Sequence, residues 1–360
     1  MSLRDFRHQA GRLAIVGFGG HGVPADLRHL AADFDLGGVI YFARNIVEPV
    51  QVRDLSREVR ELERHWPFWV SVDQEGGRVA RLKHPFTEWP PAVTLGRGGS
   101  EDLAGRFADA LSRELRAVGI DLDYVPVLDV HTNPANPVIG DRALSDQAAE
   151  VARLGEVLIR RLQAGGVAAS GKHFPGHGDT SVDSHEALPV VEHERERLAA
   201  VEFVPFRRAI EAGVATIMTA HVLVPALDPE RPASLSPVVV TDLLKEAMGF
   251  AGVVVSDDLG MKAIAARTPL PEAAVAAIEA GCDMVLLCNS TIDEQVSAIE
   301  ALIGAAESGR LSQARLDDAF ARQRETKARV GRPAGLPDAP LDCIGSLAHQ
   351  AIAQEMAAWL

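Results

Sequence analysis

Tyrosine is almost missing from this 360-residue chain, which has only two, and basic residues are outnumbered, 36 Lys and Arg against 50 Asp and Glu. The formal charge of −14 argues against a nucleic-acid partner, because phosphate binding needs a basic face and no Lys/Arg run interleaved with aromatics occurs. Long apolar runs are absent too. No stretch approaches the roughly 18 residues needed to span a bilayer, so no membrane association is expected. The short run at 13–16, cut off by Gly17, falls well below the about 7–15 apolar residues of a secretory signal. Cysteine is scarce: Cys282, Cys288 and Cys343 are odd in number and lack CxxC spacing, which predicts reduced, buried thiols and a cytoplasmic location.

What is present has a period. Apolar, β-rich runs recur at 13–18, 38–42, 68–72, 122–130, 167–172, 215–220, 252–256 and 283–287. Segments with helical spacing lie between most of them, at 52–65, 103–118, 148–164, 194–211 and 273–280. Small-residue stops ending at Gly119, Gly166, Gly213, Gly252 and Gly281 predict helix C-termini that turn the chain back toward a sheet. About eight βα units with near-continuous apolar strands predict a single (β/α)8 barrel of the TIM type, with an open doubly wound sheet as the alternative. Residues 1–360 are expected to form one domain with its core at about 12–330. The extension 331–360 begins in a Gly/Pro-rich stretch, 331–340, and ends in a helix over 343–360 packed on the barrel. Polar residues fall at the C-terminal ends of the predicted strands, where barrel enzymes place their chemistry.

The densest polar stretch is 170–189. Between Lys172 and Ala187 it gathers His173, His177, Asp179, Asp183, His185 and Glu186 among Pro175, Gly176 and Gly178, a composition that cannot form a core. Asp183 lies two residues from His185, close enough for the carboxylate to fix the tautomer and steady the imidazolium. The segment VDQEGGRV with Arg81 beyond it crowds Asp73 and two arginines around a Gly-Gly turn, which suits polyhydroxyl recognition; Arg142 offers a similar fork. Asp257 and Asp258 end an apolar run. Strand alternation lets only one of them face the barrel axis, and Lys172, Arg81 and Arg142 are expected to keep that carboxylate ionised.

Three other chemistries compete. Gly17–Gly22 matches GxGxxG and Arg44 could read a 2′-phosphate, but Pro24 follows at once and no acid closes the second strand, so an NADP site is the weaker reading. No GxSxG elbow supports a serine hydrolase. His173, His177, Asp179, His185 and His221 could serve zinc in a metal-dependent hydrolase.

The motifs VDQEGGRVARL, IGDRALS, KHFPGHGDTSVDSH and VVSDDLGM, within a match from about Ala14 to Asn289, resemble the β-N-acetylhexosaminidases of glycoside hydrolase family 3. The resemblance implies that Asp257 is the nucleophile and His185 the general acid/base backed by Asp183. It also implies that Asp73, Arg81, Arg142, Lys172 and His173 hold the sugar, without cofactor or metal. The chain is similar to the single-domain branch that recycles peptidoglycan. A monomer removing terminal N-acetylglucosamine from GlcNAc-anhydroMurNAc fragments or related disaccharides is therefore expected, through a covalent intermediate with retention. A phosphorylase working from the same site, and a silent sugar-binding barrel, are the remaining alternatives. The loop containing Pro175, Gly176 and Gly178 is expected to close over substrate.

Overall fold

The computed structural model describes residues 3–62, 66–331 and 339–360. Three parallel strands open the barrel, β1 (Ala14–Gly17), β2 (Gly38–Tyr41) and β3 (Trp69–Val72). A small antiparallel hairpin follows, β4 (Gln74–Gly76) and β5 (Val79–Ala80). The remaining barrel strands are β6 (Leu122–Asp123), β7 (Ala168–Phe174), β8 (Thr216–Thr219), β9 (Val253–Asp258) and β10 (Met284–Leu287). The eight barrel strands close in the order β1-β10-β9-β8-β7-β6-β3-β2. Each comes from one of the eight apolar runs, and the open-sheet alternative is excluded by the β1–β10 pairing.

Alternation along the strands builds two cores. Ile15, Ile40, Val253, Val255, Met284 and Leu286 fill the lumen, while their neighbours Val16, Val39, Val254 and Val285 pack outward with the helices. The lumen is thus a packed interior rather than a pore.

Several elements depart from the expected ones for visible reasons. The 122–130 run pairs as a strand only at Leu122–Asp123 and returns as a lone Val127 bridge to Lys172, because Pro126 has no N–H to give the ladder. The helix expected over 194–211 divides into Arg195–Ala200 and Phe203–Glu211. Pro205 cannot donate to Val201, so a continuous helix would lose a bond there. The helix Val238–Ala247 ends through Gly249 at φ 71°, not through Gly252, which instead lies so close to β8 that a Cβ would meet the Ala215 carbonyl oxygen at 2.4 Å. Gly119, Gly166, Gly213 and Gly281 do take positive φ after their helices. The 52–65 expectation resolves to Pro49–Arg60, with 63–65 outside the described residues. Likewise most of the Gly/Pro-rich stretch, 332–338, lies outside them.

The terminal helix is Leu347–Ala357. It is moored by the buried Glu114 carboxylate, which accepts from His349 Nδ1 at 2.7 Å, Gly345 N at 3.0 Å and Thr87 Oγ1 at 2.6 Å. Among the described residues no helix is long and apolar enough to cross a membrane.

Candidate active site

The hairpin after β3 folds because Gly76 and Gly77 take φ of 99° and 54°, angles that L side chains avoid. Gln74 closes it from within: its side-chain oxygen accepts from Arg81 N at 2.8 Å and Leu82 N at 2.9 Å, while its own N–H donates to Asp123 Oδ1 at 2.9 Å. This closure turns Asp73 and Glu75 toward the barrel mouth. Glu75, 4% exposed, takes Arg142 in a two-bond fork, Nε–Oε2 2.9 Å and Nη2–Oε1 2.8 Å. Lys172 Nζ lies 2.6 Å from Glu75 Oε1 and 2.8 Å from Asp73 Oδ1. Arg81 approaches Asp73 only at 3.5 Å. Burial opposes the Glu75 charge, but Arg142 and Lys172 overcome it and hold the carboxyl well below the usual range. Likewise burial works against the Lys172 cation while Asp73 and Glu75 raise its pKa. Glu75 carries no role in the sequence reading, because a Glu in a Gly-Gly turn looks solvent-exposed until the hairpin closes.

Strand β7 delivers two adjacent side chains to one side. The β7–β8 register slips between Gly171 and Phe174, so Lys172 and His173 both line the cleft, against simple alternation. His173 Nδ1 donates to Asp129 Oδ2 at 2.7 Å, which leaves Nε2 as the ring atom open to a ligand. Burial works against the Asp129 charge, and His173 and His177 more than offset it, lowering its pKa.

The same device operates at β9. Its register with β10 shifts between Met284 and Leu286, and both Asp257 and Asp258 border the cleft, correcting the expectation that only one can. Their surroundings separate them. Asp258 accepts from Cys288 N at 3.0 Å, Gly260 N at 3.2 Å and Asn289 Nδ2 at 3.1 Å, and burial leaves its pKa raised. Among the described residues Asp257 accepts only the Asp258 N–H, at 2.8 Å. Burial resists its charge, yet His221, His173, that N–H and Lys172 lower its pKa, so it is ionised at neutral pH. Lys172 counts for less here than the two imidazoles and that N–H. His221 donates from Nε2 to the Asp258 carbonyl at 3.0 Å, meets Ser234 Oγ at 2.7 Å, and is kept neutral by burial. At neutral pH its part is therefore to fix the end of β9.

In the loop after β7, Asp183 Oδ1 accepts from His185 Nδ1 at 2.8 Å and from His185 N at 2.9 Å. Burial acts against the Asp183 charge and the His185 bonds outweigh it, lowering its pKa. The His185 side chain is 65% exposed and borders the cleft. Asp73, Arg81, Arg142, Lys172, His173, Asp257 and His185 all line it, and Asp183 stands behind His185. Gly176 and Gly178, in the loop expected to close over substrate, are closely packed: a Cβ on Gly178 would lie 1.8 Å from the Val130 carbonyl oxygen, and one on Gly176 2.9 Å from Glu202 Cγ. Only the part after Thr180 is exposed.

The competing chemistries find other partners. His177 bonds Thr180 and Ser184, Asp179 bonds Thr132 and His193, and among the described residues no three His, Cys, Asp or Glu converge as metal ligands. Arg44 is spent on Phe18 O, Asn289 Oδ1 and Cys288 O, and the helix after Gly22 starts only at Ala25, outside the glycines that would cradle a dinucleotide.

Residues 7–325 match the model of the glycosyl hydrolase family 3 N-terminal domain. A β-hexosaminidase of Nitrosomonas eutropha is 38% identical over 288 residues, 78% of this chain and 82% of that protein. One of Stenotrophomonas maltophilia is 35% identical over 88% of this chain and all of its own length. Among solved structures, a family 3 β-N-acetylglucosaminidase of a Paenibacillus species superposes with a TM-score of 0.92 at 42% identity, covering 98% of this chain and 68% of that one. NagZ of Neisseria gonorrhoeae, in complex with N-trifluoroacetyl-D-glucosamine, superposes with a TM-score of 0.80 at 31% identity, covering 96% and 97%. With its four motif segments gathered at one barrel mouth, the chain belongs to glycosyl hydrolase family 3 and is a glycoside hydrolase.

Proposed function

We propose that the chain is a retaining β-N-acetylglucosaminidase working as one catalytic barrel domain. The observation that carries this reading is that ionised Asp257, His185 with its partner Asp183, and the Asp73–Lys172–Glu75–Arg142 cluster meet at one cleft. That cluster, with Arg81 and His173, holds the hydroxyls and acetamide of a terminal N-acetylglucosaminyl residue through charge-assisted hydrogen bonds. A Asp257 oxygen attacks the anomeric carbon as the glycosidic oxygen takes the Nε2 proton of His185, whose Nδ1–H rests on Asp183. The bond to the leaving group breaks and a glycosyl-Asp257 ester forms. Water then gives its proton back to His185 and opens the ester, so the β configuration returns.

The gonococcal relative's complex with an N-acylglucosamine analogue supports the glucosamine end of the substrate. The resemblance to the peptidoglycan-recycling branch supports GlcNAc-anhydroMurNAc fragments as its source. The three free, buried thiols are compatible with work in a reducing cytoplasm, and the chain is proposed to act as a monomer. Proton NMR during hydrolysis of an aryl β-N-acetylglucosaminide, run with and without phosphate, tests the scheme. The β-anomer of N-acetylglucosamine is expected first in both. The α-anomer first would overturn retention, and a sugar 1-phosphate in phosphate buffer would make the enzyme a phosphorylase, an outcome an imidazole acid permits because it does not repel the anion as a carboxylate would.

A further inference from the structure

Between Thr180 and Pro189 the loop is exposed or half-buried except at Ser184, which is 3% exposed and stands directly between Asp183 and His185. Two bonds hold it down. Its carbonyl accepts from Ala263 N at 3.1 Å, in the short helix Lys262–Ala265 that follows the Asp257-bearing end of β9. Its hydroxyl lies 3.2 Å from His177 Nε2. The direction of the second bond follows from the ring's other side. Thr180 Oγ1 donates to the His177 carbonyl at 3.1 Å, so toward the ring at 2.7 Å it acts as acceptor of the Nδ1–H. Nε2 is then the bare nitrogen and accepts the Ser184 hydroxyl proton. Burial lowers the His177 pKa to about 4, which keeps this tautomer neutral near pH 7. His177 is itself fixed, since Asn136 Nδ2 donates to its carbonyl at 2.8 Å and its own N–H goes to Asp129 Oδ1 at 2.6 Å.

We infer that Ser184 and His177 are positioning residues for proton transfer: they clip the Asp183–His185 pair to the buried turn after β7 and to the segment following Asp257. Without the clip, the two flanking residues would keep their own hydrogen bond but lose their place relative to the glycosidic oxygen. A reaction that needs a proton at that oxygen would then suffer, while one that does not would continue. This rests on the reading of His185 as the acid.

Ser184→Ala removes the hydroxyl with little change of volume. Its kcat/KM, which reports the first bond-breaking step, is expected to fall roughly five- to tenfold for a disaccharide or a poor aryl leaving group, the size of one net hydrogen bond. For a dinitrophenyl β-N-acetylglucosaminide, which needs little protonation, kcat/KM should change less than about twofold. Amide hydrogen exchange at 185–187 and at Ala263 should quicken in the same variant while the barrel strands keep their protection. Equal losses on both substrates, or no loss with unchanged exchange, would overturn the inference. His185→Gly run in parallel separates the two levels: if its losses show no leaving-group dependence, the acid assignment falls and the inference with it, whereas a leaving-group-dependent His185→Gly beside an unaffected Ser184→Ala removes the clip alone.

Discussion

Replacing Glu75 by Gln tests how the cluster proposed to hold the sugar is assembled. The substitution keeps the shape but removes the charge that Arg142 and Lys172 share. Arg142, whose side chain is 10% exposed, would be left with the Val138 carbonyl at 3.1 Å, and Lys172, 2% exposed, with Asp73. One amide nitrogen would also face a cation. Breaking a buried pair in this way costs about 3–5 kcal/mol. At an unfolding entropy near 2.1 cal/mol/K per residue, that lowers the melting temperature of a chain this size by about 4–7 °C. The guanidinium freed from its fork no longer points its donors in one direction. Losing about one charged hydrogen bond to substrate should reduce kcat/KM for an aryl β-N-acetylglucosaminide about 10- to 100-fold, mainly through KM. Calorimetry and steady-state kinetics on Glu75→Gln, Arg142→Met and the double variant check this. The two single effects should overlap strongly in the double variant. Losses that simply add, within about 0.5 kcal/mol, or a melting temperature and KM indistinguishable from wild type, would refute the clamp.

Other consequences follow from the same geometry. His185→Gly should cut kcat/KM on poor leaving groups by about 10²- to 10⁴-fold and on dinitrophenyl glycosides far less, read by a leaving-group series. Asp123 has its carboxyl pushed up to about 8 by burial, which the Gln74 N–H and Lys172 only partly oppose. Folded Asp123 thus holds a proton that the unfolded chain has already released above about pH 4, so stability is lost as pH rises from about 4 to 8. Asp123→Asn keeps the oxygen that accepts the Gln74 N–H and should flatten that decline, seen as a melting temperature less sensitive between pH 6 and 9 than that of wild type, with unchanged slopes counting against the assignment. Burial pushes the Cys282 thiol up to about 12 and that of Cys288 well above its ordinary value. An aromatic disulfide reagent should therefore leave both unmodified in the native protein and label them after denaturation.

The barrel was readable from sequence because parallel strands covered on both faces leave uninterrupted apolar runs, and residues 148–164 show a helix with the same bounds in the structure. Asp73, Lys172, His173 and Asp257 stand out for the opposite reason: polar groups at the ends of such runs have no core to join, whereas the parts proposed for Arg81, Arg142 and His185 rest on the motif resemblance. What stayed hidden depends on closure in three dimensions. Glu75 becomes a buried anchor only when Gly76 and Gly77 turn the hairpin, and Ser184 becomes a clip only when the loop lies against Lys262–Ala265. Alternation misjudged Asp257 and Asp258 because a register shift, invisible in a residue pattern, brings both to the mouth. Gly176 and Gly178 lie where the chain packs closely, one on Glu202 and the other on the Val130 carbonyl; a glycine needed for close approach and one needed for freedom look alike in sequence.

The account stands most directly on a covalent bond to Asp257. A slowly released substrate, acid-quenched within the first turnovers and followed by intact mass and peptide mapping, should show one N-acetylhexosaminyl unit added to the protein and located on Asp257. The adduct should be absent from Asp257→Gly and longer-lived in His185→Gly. Rapid turnover with retained configuration but no adduct on Asp257 would contradict the account and transfer the nucleophile's part to the substrate's own acetamide.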